Sequence, residues 1–300
     1  LDIIVIGAGS VGMLVASFLS ECNDTVKLIV RRENQAEQLL RHGLVRKNLD
    51  GTMTKTKVQV AMDLEGISKQ SIVIIAVKYG ELNQIYPILR TIHEDIPLLF
   101  LQNGLAHLEE AVQLPQKTIA FGSCQFGAER ENDYTIVHRG QGVLKIAMER
   151  GTATPFHLFS QKTNELFQVT FVENVEDMLF EKALLNCFIN PLTAILRVKN
   201  GMLIENPHTY KLLEKLYNEL MIAFPEKKAI FPFEEVEKLC RKTAINTSSM
   251  LADILHKRPT EIDTIVGAVL KRAAKRGKTL PILTTLYHLI VAIEESGEKM

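Results

Sequence analysis

Net charge is absent from this chain: 35 lysine and arginine residues balance 35 aspartate and glutamate residues. A protein that wraps a phosphate backbone carries a basic excess, so no nucleic-acid partner is implied. Long apolar runs are absent as well. None approaches the roughly 18 residues of a membrane-spanning helix, and no basic segment or cleavage pattern precedes the first strand, so a cytoplasmic protein without a membrane partner is expected. Leu1 stands in place of an initiating Met, which leaves a small truncation open. Cysteine is scarce: Cys22, Cys124, Cys187 and Cys240 lie far apart, in neither a CxxC nor a zinc-like spacing, and read as ordinary buried thiols. No grouping of His, Asp or Cys has metal-ligand spacing, so no metal is expected. The N-D-T and N-T-S triplets at Asn23 and Asn246 have the form of glycosylation sequons but no such meaning in the cytosol.

Apolar residues make up 46% of the 300 positions. Such a chain suffices for one large domain or two ordinary ones and buries roughly three quarters of its unfolded surface. It opens on IIVIGAGSVGML, a strand-like run, a glycine turn and the start of a helix-spaced stretch, with a second strand predicted at TVKLIV. This is the length and order of a βαβ unit. In a dinucleotide site Gly7 makes the tight turn, Gly9 lets the backbone approach a pyrophosphate, and Gly12 lets helix and strand pack closely, with Ala8, Ser10 and Val11 completing the loop. The helix N-terminus then faces the phosphates. A turn of the same shape that binds nothing is the alternative.

The end of the second strand discriminates between cofactors. An NAD site places Asp or Glu there for the ribose 2'-hydroxyl, whereas TVKLIV runs into Arg31 and Arg32. A guanidinium binds a 2'-phosphate through charge-assisted hydrogen bonds, so NADPH is expected. Glu33 nearby keeps some tolerance of NADH open, and plain solvation of a strand end is the other account of the two arginines.

Further strands are predicted at SIVIIAV, PLLFLQ and KTIAFGSC, continuous apolar runs that suit a parallel sheet covered on both faces. From Asp133 onward, DYTIVHRG and GVLKIAM are expected to pair antiparallel at the sheet edge, with FQVTFV as the last strand. His138 on that edge is expected to have a structural or surface role. Beyond Asn174 the chain reads as helical. Asn174 with Asp177, Asn206 with Pro207, and Thr260 with Asp263 mark three helix starts, and Gly277 marks an end. The expected architecture is an α/β domain over 1–170, then a helical domain over 171–300. A hinge near 170 and a substrate cleft between the two are expected.

In MLFEKALLNCFINPLTAIL, Lys182, Asn186 and Asn190 are four apart and share one helix face. Apolar residues cover most of the remaining circumference, so the polar line should face a cleft or a partner. Two amides and an ammonium suit a small oxygen-rich substrate: the amides hold carboxylate, carbonyl or hydroxyl oxygens, and the ammonium gives up a proton.

With GAGSVG, AVKYG, LQNG, HRGQG, FEKALLNCFINPLTAI, SSMLADI and RPTEIDTIVG in this order and spacing, the chain resembles the ketopantoate reductase (2-dehydropantoate 2-reductase) family over nearly its whole length. The resemblance implies an N-terminal Rossmann-type domain with a parallel sheet and antiparallel edge strands, followed by an all-helical C-terminal domain. It implies NADPH-dependent reduction of 2-dehydropantoate to (R)-pantoate on the way to pantothenate and coenzyme A. By the same resemblance Lys182 matches the catalytic lysine that gives a proton to the carbonyl oxygen, and Glu261 the glutamate associated with the substrate's hydroxyl end and with catalysis. Asn186 and Asn190 match the substrate-holding asparagines, and Ser249 the serine that contacts the substrate carboxylate. Lys78 and Asn103 match residues near nicotinamide and substrate, and Arg31 the position that meets the 2'-phosphate. Taken without the resemblance, Asn103 could only shape its turn, Ser249 only cap a helix, and Glu261 only favour a helix start. A reductase of another small branched 2-keto acid, or a non-catalytic dinucleotide sensor on the same fold, remain the alternatives. Monomer and homodimer both stay open.

Overall fold

The computed structural model describes residues 2–21, 25–161 and 166–297; Leu1, Cys22 and the Asn23 sequon lie outside them. The chain divides into two compact units, one of Leu1–Gln102 with His107–Met178, the other of Asn103–Ala106 with Leu179–Met300.

The first unit contains, in chain order, β1 (Asp2–Ile6), α1 (Ser10–Ser20), β2 (Thr25–Ile29), α2 (Glu33–His42), β3 (Leu44–Lys47), β4 (Met53–Thr56), β5 (Gln59–Ala61), β6 (Ser71–Ile75) and α3 (Leu82–Leu89). It continues with β7 (Leu98–Phe100), α4 (Leu108–Ala111), β8 (Ile119–Cys124), β9 (Gly127–Arg130), β10 (Thr135–Gly140), β11 (Val143–Arg150), α5 (His157–Gln161) and β12 (Gln168–Val172). Eight strands form one sheet in the order β12-β11-β8-β7-β6-β1-β2-β5, parallel throughout except where β11 runs antiparallel to β8. The apolar runs fall where a doubly covered sheet demands them: β6, SIVII, is buried at every residue, and β1 at four of five.

One expectation needs correction here. DYTIVHRG and GVLKIAM do not pair with each other. β10 belongs to a second, four-stranded sheet in the order β4-β3-β10-β9, while β11 lies in the large sheet between β8 and β12. Each strand has both edges taken by other partners, so neither has an edge left for the other. The second sheet also answers a need of α1, whose residues Gly12–Leu19 are all buried: that helix packs on β1 and β2 on one side and on β3, β9 and β10 on the other. A helix apolar around its whole circumference requires cover on every side.

Of the two roles expected for His138, on β10, the structural one holds: the residue is interior. Its Nε2 lies 3.0 Å from the Gly140 carbonyl, and its ring meets Phe18 edge-on at 5.5 Å. Burial holds its pKa below the ordinary histidine value, and the charge of Arg46 acts in the same direction. The unfolded chain therefore binds a proton that the folded one resists. Stability is fully present above the unfolded pKa of about 6.5 and is lost as the pH falls from there toward the lower folded pKa. Thermal melts from pH 7.5 down to pH 5 should show this loss, and His138→Gln should flatten it. An equal slope in the variant would assign the dependence elsewhere.

The second unit holds most of α6 (Val175–Leu196), then α7 (Met202–Glu205), α8 (Pro207–Ala223), α9 (Phe233–Lys242), α10 (Ser249–Leu255), a π-helical turn (Asp263–Gly267), α11 (Ala268–Lys275) and α12 (Pro281–Gly297). Caps set several of these bounds. Asn174 accepts the Asp177 N–H at 2.7 Å, and Asn206 accepts that of His208 at 2.9 Å. Thr260 and Asp263 form no such box: Thr260 Oγ1 accepts the Ile262 N–H, and Asp263 is taken by Tyr287.

By length and composition α6 could cross a membrane, contrary to the expectation from uninterrupted runs. Its Phe180, Ala183, Leu184, Cys187, Phe188 and Leu192 form the centre of this unit's core, and that burial accounts for its apolarity. Cys124, Cys187 and Cys240 are free and buried; burial raises the Cys240 thiol to about 11 and pushes that of Cys187 up as well. These are packing thiols. Among the described residues no group of His, Cys, Asp or Glu could hold a metal ion.

Candidate active site

The glycine loop joins β1 to α1. Gly7 adopts φ +102°, and a Cβ on Gly12 would lie 1.9 Å from the Gly7 carbonyl oxygen, so only glycine permits this coil. Gly9, the α1 N-cap, has nothing within 4 Å of where its Cβ would point. No side chain caps α1, and the N–H groups of its first turn have no acceptor within the helix. Open space above a glycine and a row of uncapped donors fit a dinucleotide pyrophosphate. A residue that the motif did not reveal holds the loop: buried Gln35 on α2 donates from Nε2 to the Ala8 carbonyl at 2.9 Å.

Arg31 and Arg32 follow β2, both exposed. Arg31 Nη1 donates to both carboxylate oxygens of Glu81, at 3.0 and 2.8 Å. Arg32 pairs with Asp133 and with Gln35. Lys78 follows β6 as an exposed residue of this same unit. The end of β6 is pinned by buried Gln102, whose Nε2 donates to the Ile75 and Val77 carbonyls at 3.1 and 2.9 Å.

In the second unit the helical repeat does what the spacing predicts. Lys182, Asn186 and Asn190 share a face of α6, the first two half-buried and Asn190 buried. Glu181, one residue earlier, is tied at 3.2 Å to buried Lys227, which fixes the turn that carries Lys182. Asn190 Nδ2 donates to Ser249 Oγ at 3.4 Å. Ser249 is not the helix cap: Ser248 caps α10 by accepting the Leu251 N–H, and its hydroxyl also meets Thr193 at 2.7 Å.

Asn103 does more than shape a turn. Its Nδ2 donates to Glu261 Oε2 at 2.8 Å across 158 residues of sequence. The next residue, Gly104, has φ +80°, and a Cβ there would lie 2.1 Å from the Thr264 carbonyl oxygen. That oxygen instead accepts the Leu105 N–H at 3.3 Å. From the other side, α12 holds the same segment: Tyr287 donates to Asp263 at 2.5 Å, and Glu294 accepts the Thr260 N–H at 2.6 Å. Neither Tyr287 nor Glu294 carried a sequence signal, because helix periodicity alone gives a half-buried polar residue no partner.

Of the expected residues, the structure therefore brings Asn190 to Ser249 and Asn103 to Glu261. It sets Lys182 and Asn186 on the face of Asn190, and keeps the glycine loop, Arg31 and Lys78 in the first unit.

Comparison with known proteins agrees along the whole chain. The family model Ketopantoate reductase PanE/ApbA matches residues 3–151, and Ketopantoate reductase PanE/ApbA C terminal matches 174–294. The 2-dehydropantoate 2-reductase of Listeria monocytogenes is 38% identical over 296 residues, which cover 98% of this chain and 97% of the relative. The crystal structure of a probable 2-dehydropantoate 2-reductase from Bacillus subtilis is similar at a TM-score of 0.81 and 29% identity, covering 98% of this chain and all of that one. The ternary structure of D-mandelate dehydrogenase with NADH and anilino(oxo)acetate shares the fold at a TM-score of 0.85 and 24% identity, covering 99% of this chain and 100% of that one. Matched by family models over both of its units and by a relative along nearly its full length, the chain belongs to the ketopantoate reductase (PanE/ApbA) family of oxidoreductases.

Proposed function

We propose that this protein reduces 2-dehydropantoate to (R)-pantoate with NADPH, as a cytoplasmic enzyme of pantothenate and coenzyme A formation, monomeric or homodimeric. The observation that carries this reading is the 2.8 Å contact of Asn103 with Glu261, which joins the LQNG turn to the TEID segment, the two pieces that the family resemblance places beside the reacting groups. Bound NADPH supplies hydride to the ketone carbon. Lys182 stabilises the negative charge that develops on the carbonyl oxygen and gives that oxygen its proton. Asn186 and Asn190 hold substrate oxygens by their amides, and Ser249, oriented by Asn190, donates to the carboxylate. Glu261 accepts from the substrate's hydroxyl end, its second oxygen held by Asn103. Gly7, Ala8, Gly9, Ser10, Val11 and Gly12 hold the pyrophosphate, Arg31 the 2'-phosphate, and Lys78 and Asn103 the nicotinamide end.

The test is the loss of reduced-cofactor absorbance on adding 2-dehydropantoate, run with NADPH and with NADH and against other branched 2-keto acids. Turnover confined to 2-dehydropantoate with NADPH supports the proposal. Preference for another keto acid moves the substrate, and NADPH binding without any turnover moves the protein to a sensor. Arg31→Ala should weaken NADPH about 10- to 100-fold, the worth of charge-assisted hydrogen bonds, and NADH far less. Equal weakening of the two would reject the assignment of Arg31.

A further inference from the structure

In the large sheet β1 lies between β2 and β6, all three parallel and in register, with Ile6 opposite both Ile29 and Ile75. Neighbouring strands are about 4.8 Å apart, so β2 and β6 are separated by roughly twice that distance. Arg31 follows β2 by two residues, and Glu81 ends the short Tyr79–Glu81 turn after β6. Their ion pair therefore bridges the carboxyl ends of two strands across the outlet of the middle one, where the glycine loop begins. In open α/β sheets this crevice outside the carboxyl ends is where a dinucleotide lies.

The two arginines differ in how firmly they are held. Arg32 shares Asp133 with Arg130 and Asn34 and also reaches Gln35. Arg31 meets one carboxylate, and both members of that pair are well exposed. An exposed ion pair contributes little, so a doubly charged phosphate displaces it, but the displaced carboxylate stays close and repels the newcomer. A ribose 2'-hydroxyl meets no such opposition.

We propose that Glu81 is a selectivity-determining residue: its carboxylate occupies the Arg31 guanidinium and must yield it to a 2'-phosphate, which lowers the preference for NADPH over NADH below what Arg31 alone would confer. The inference rests on the reading that Arg31 meets the 2'-phosphate. The experiment measures dissociation constants of NADPH and NADH, by titration calorimetry without keto acid, for the wild-type protein, Glu81→Gln and Arg31→Ala. Glu81→Gln should tighten NADPH by about five- to tenfold and leave NADH within about twofold, since one screened unit charge is removed. An unchanged ratio in Glu81→Gln, with Arg31→Ala selective for NADPH, overturns the role of Glu81 alone. If Arg31→Ala shifts both cofactors equally, the 2'-phosphate assignment itself falls. If Glu81→Gln is then still selective, the carboxylate acts by direct repulsion and the displacement of an Arg31 pair is wrong.

Discussion

Lys182→Ala is expected to lower kcat by about 10²- to 10⁴-fold, the range that a positioned proton donor contributes. The residue lies in the interior of α6, where alanine is the best helix former, and the neighbouring Glu181–Lys227 pair stays in place, so the fold should hold. The glycine loop and Arg31 belong to the other unit, and NADPH affinity should be retained. Steady-state kinetics alongside a cofactor titration separate these effects. A parallel loss of NADPH affinity and turnover would show that Lys182 supports the structure and does not serve the chemistry.

The second large effect is expected at a residue with no functional group. In Gly104→Ala, the new Cβ would meet the Thr264 carbonyl oxygen at 2.1 Å and its carbon at 2.5 Å, on a backbone with φ +80°. The turn or the π-helical segment has to move, and either motion breaks the Leu105–Thr264 hydrogen bond and draws Asn103 away from Glu261. Strain of this kind costs about 1–3 kcal/mol in stability. Misplacement of a positioning group by about 1 Å costs on the order of 10²-fold in kcat/KM. Gly66→Ala is the control. It also has positive φ, +66°, but nothing within 4 Å, so it should lower Tm through backbone strain and leave kcat/KM unchanged. Full activity in Gly104→Ala would mean that the Asn103–Glu261 contact has no catalytic weight.

Much of this was legible in the residues, for reasons that differ by element. The central strands announce themselves because a doubly covered strand must be apolar at every position, as SIVII is. The small second sheet was missed because β3, β4 and β9 are short and carry charges, LVRK, MTKT and GAER, so that no two-residue alternation rises above the background. The partner of β10 was misjudged for a related reason: a glycine between two strand-like runs suggests a hairpin, and only the occupancy of both strand edges shows that the chain instead passes from one sheet to another.

The sequence by itself determined the glycine coil and the polar face of α6. The first depends on which residue tolerates positive φ and close approach, and the second on the 3.6-residue turn; both are local properties of the chain. Only the tertiary structure decided that Asn103 answers to Glu261, that Ser248 and not Ser249 caps α10, and that Arg31 is held by Glu81. The two pairs join residues 158 and 50 positions apart, and contacts at such separations leave no period in the sequence. They exist because burial of the apolar runs brings distant turns together, and the polar side chains then satisfy one another where they meet.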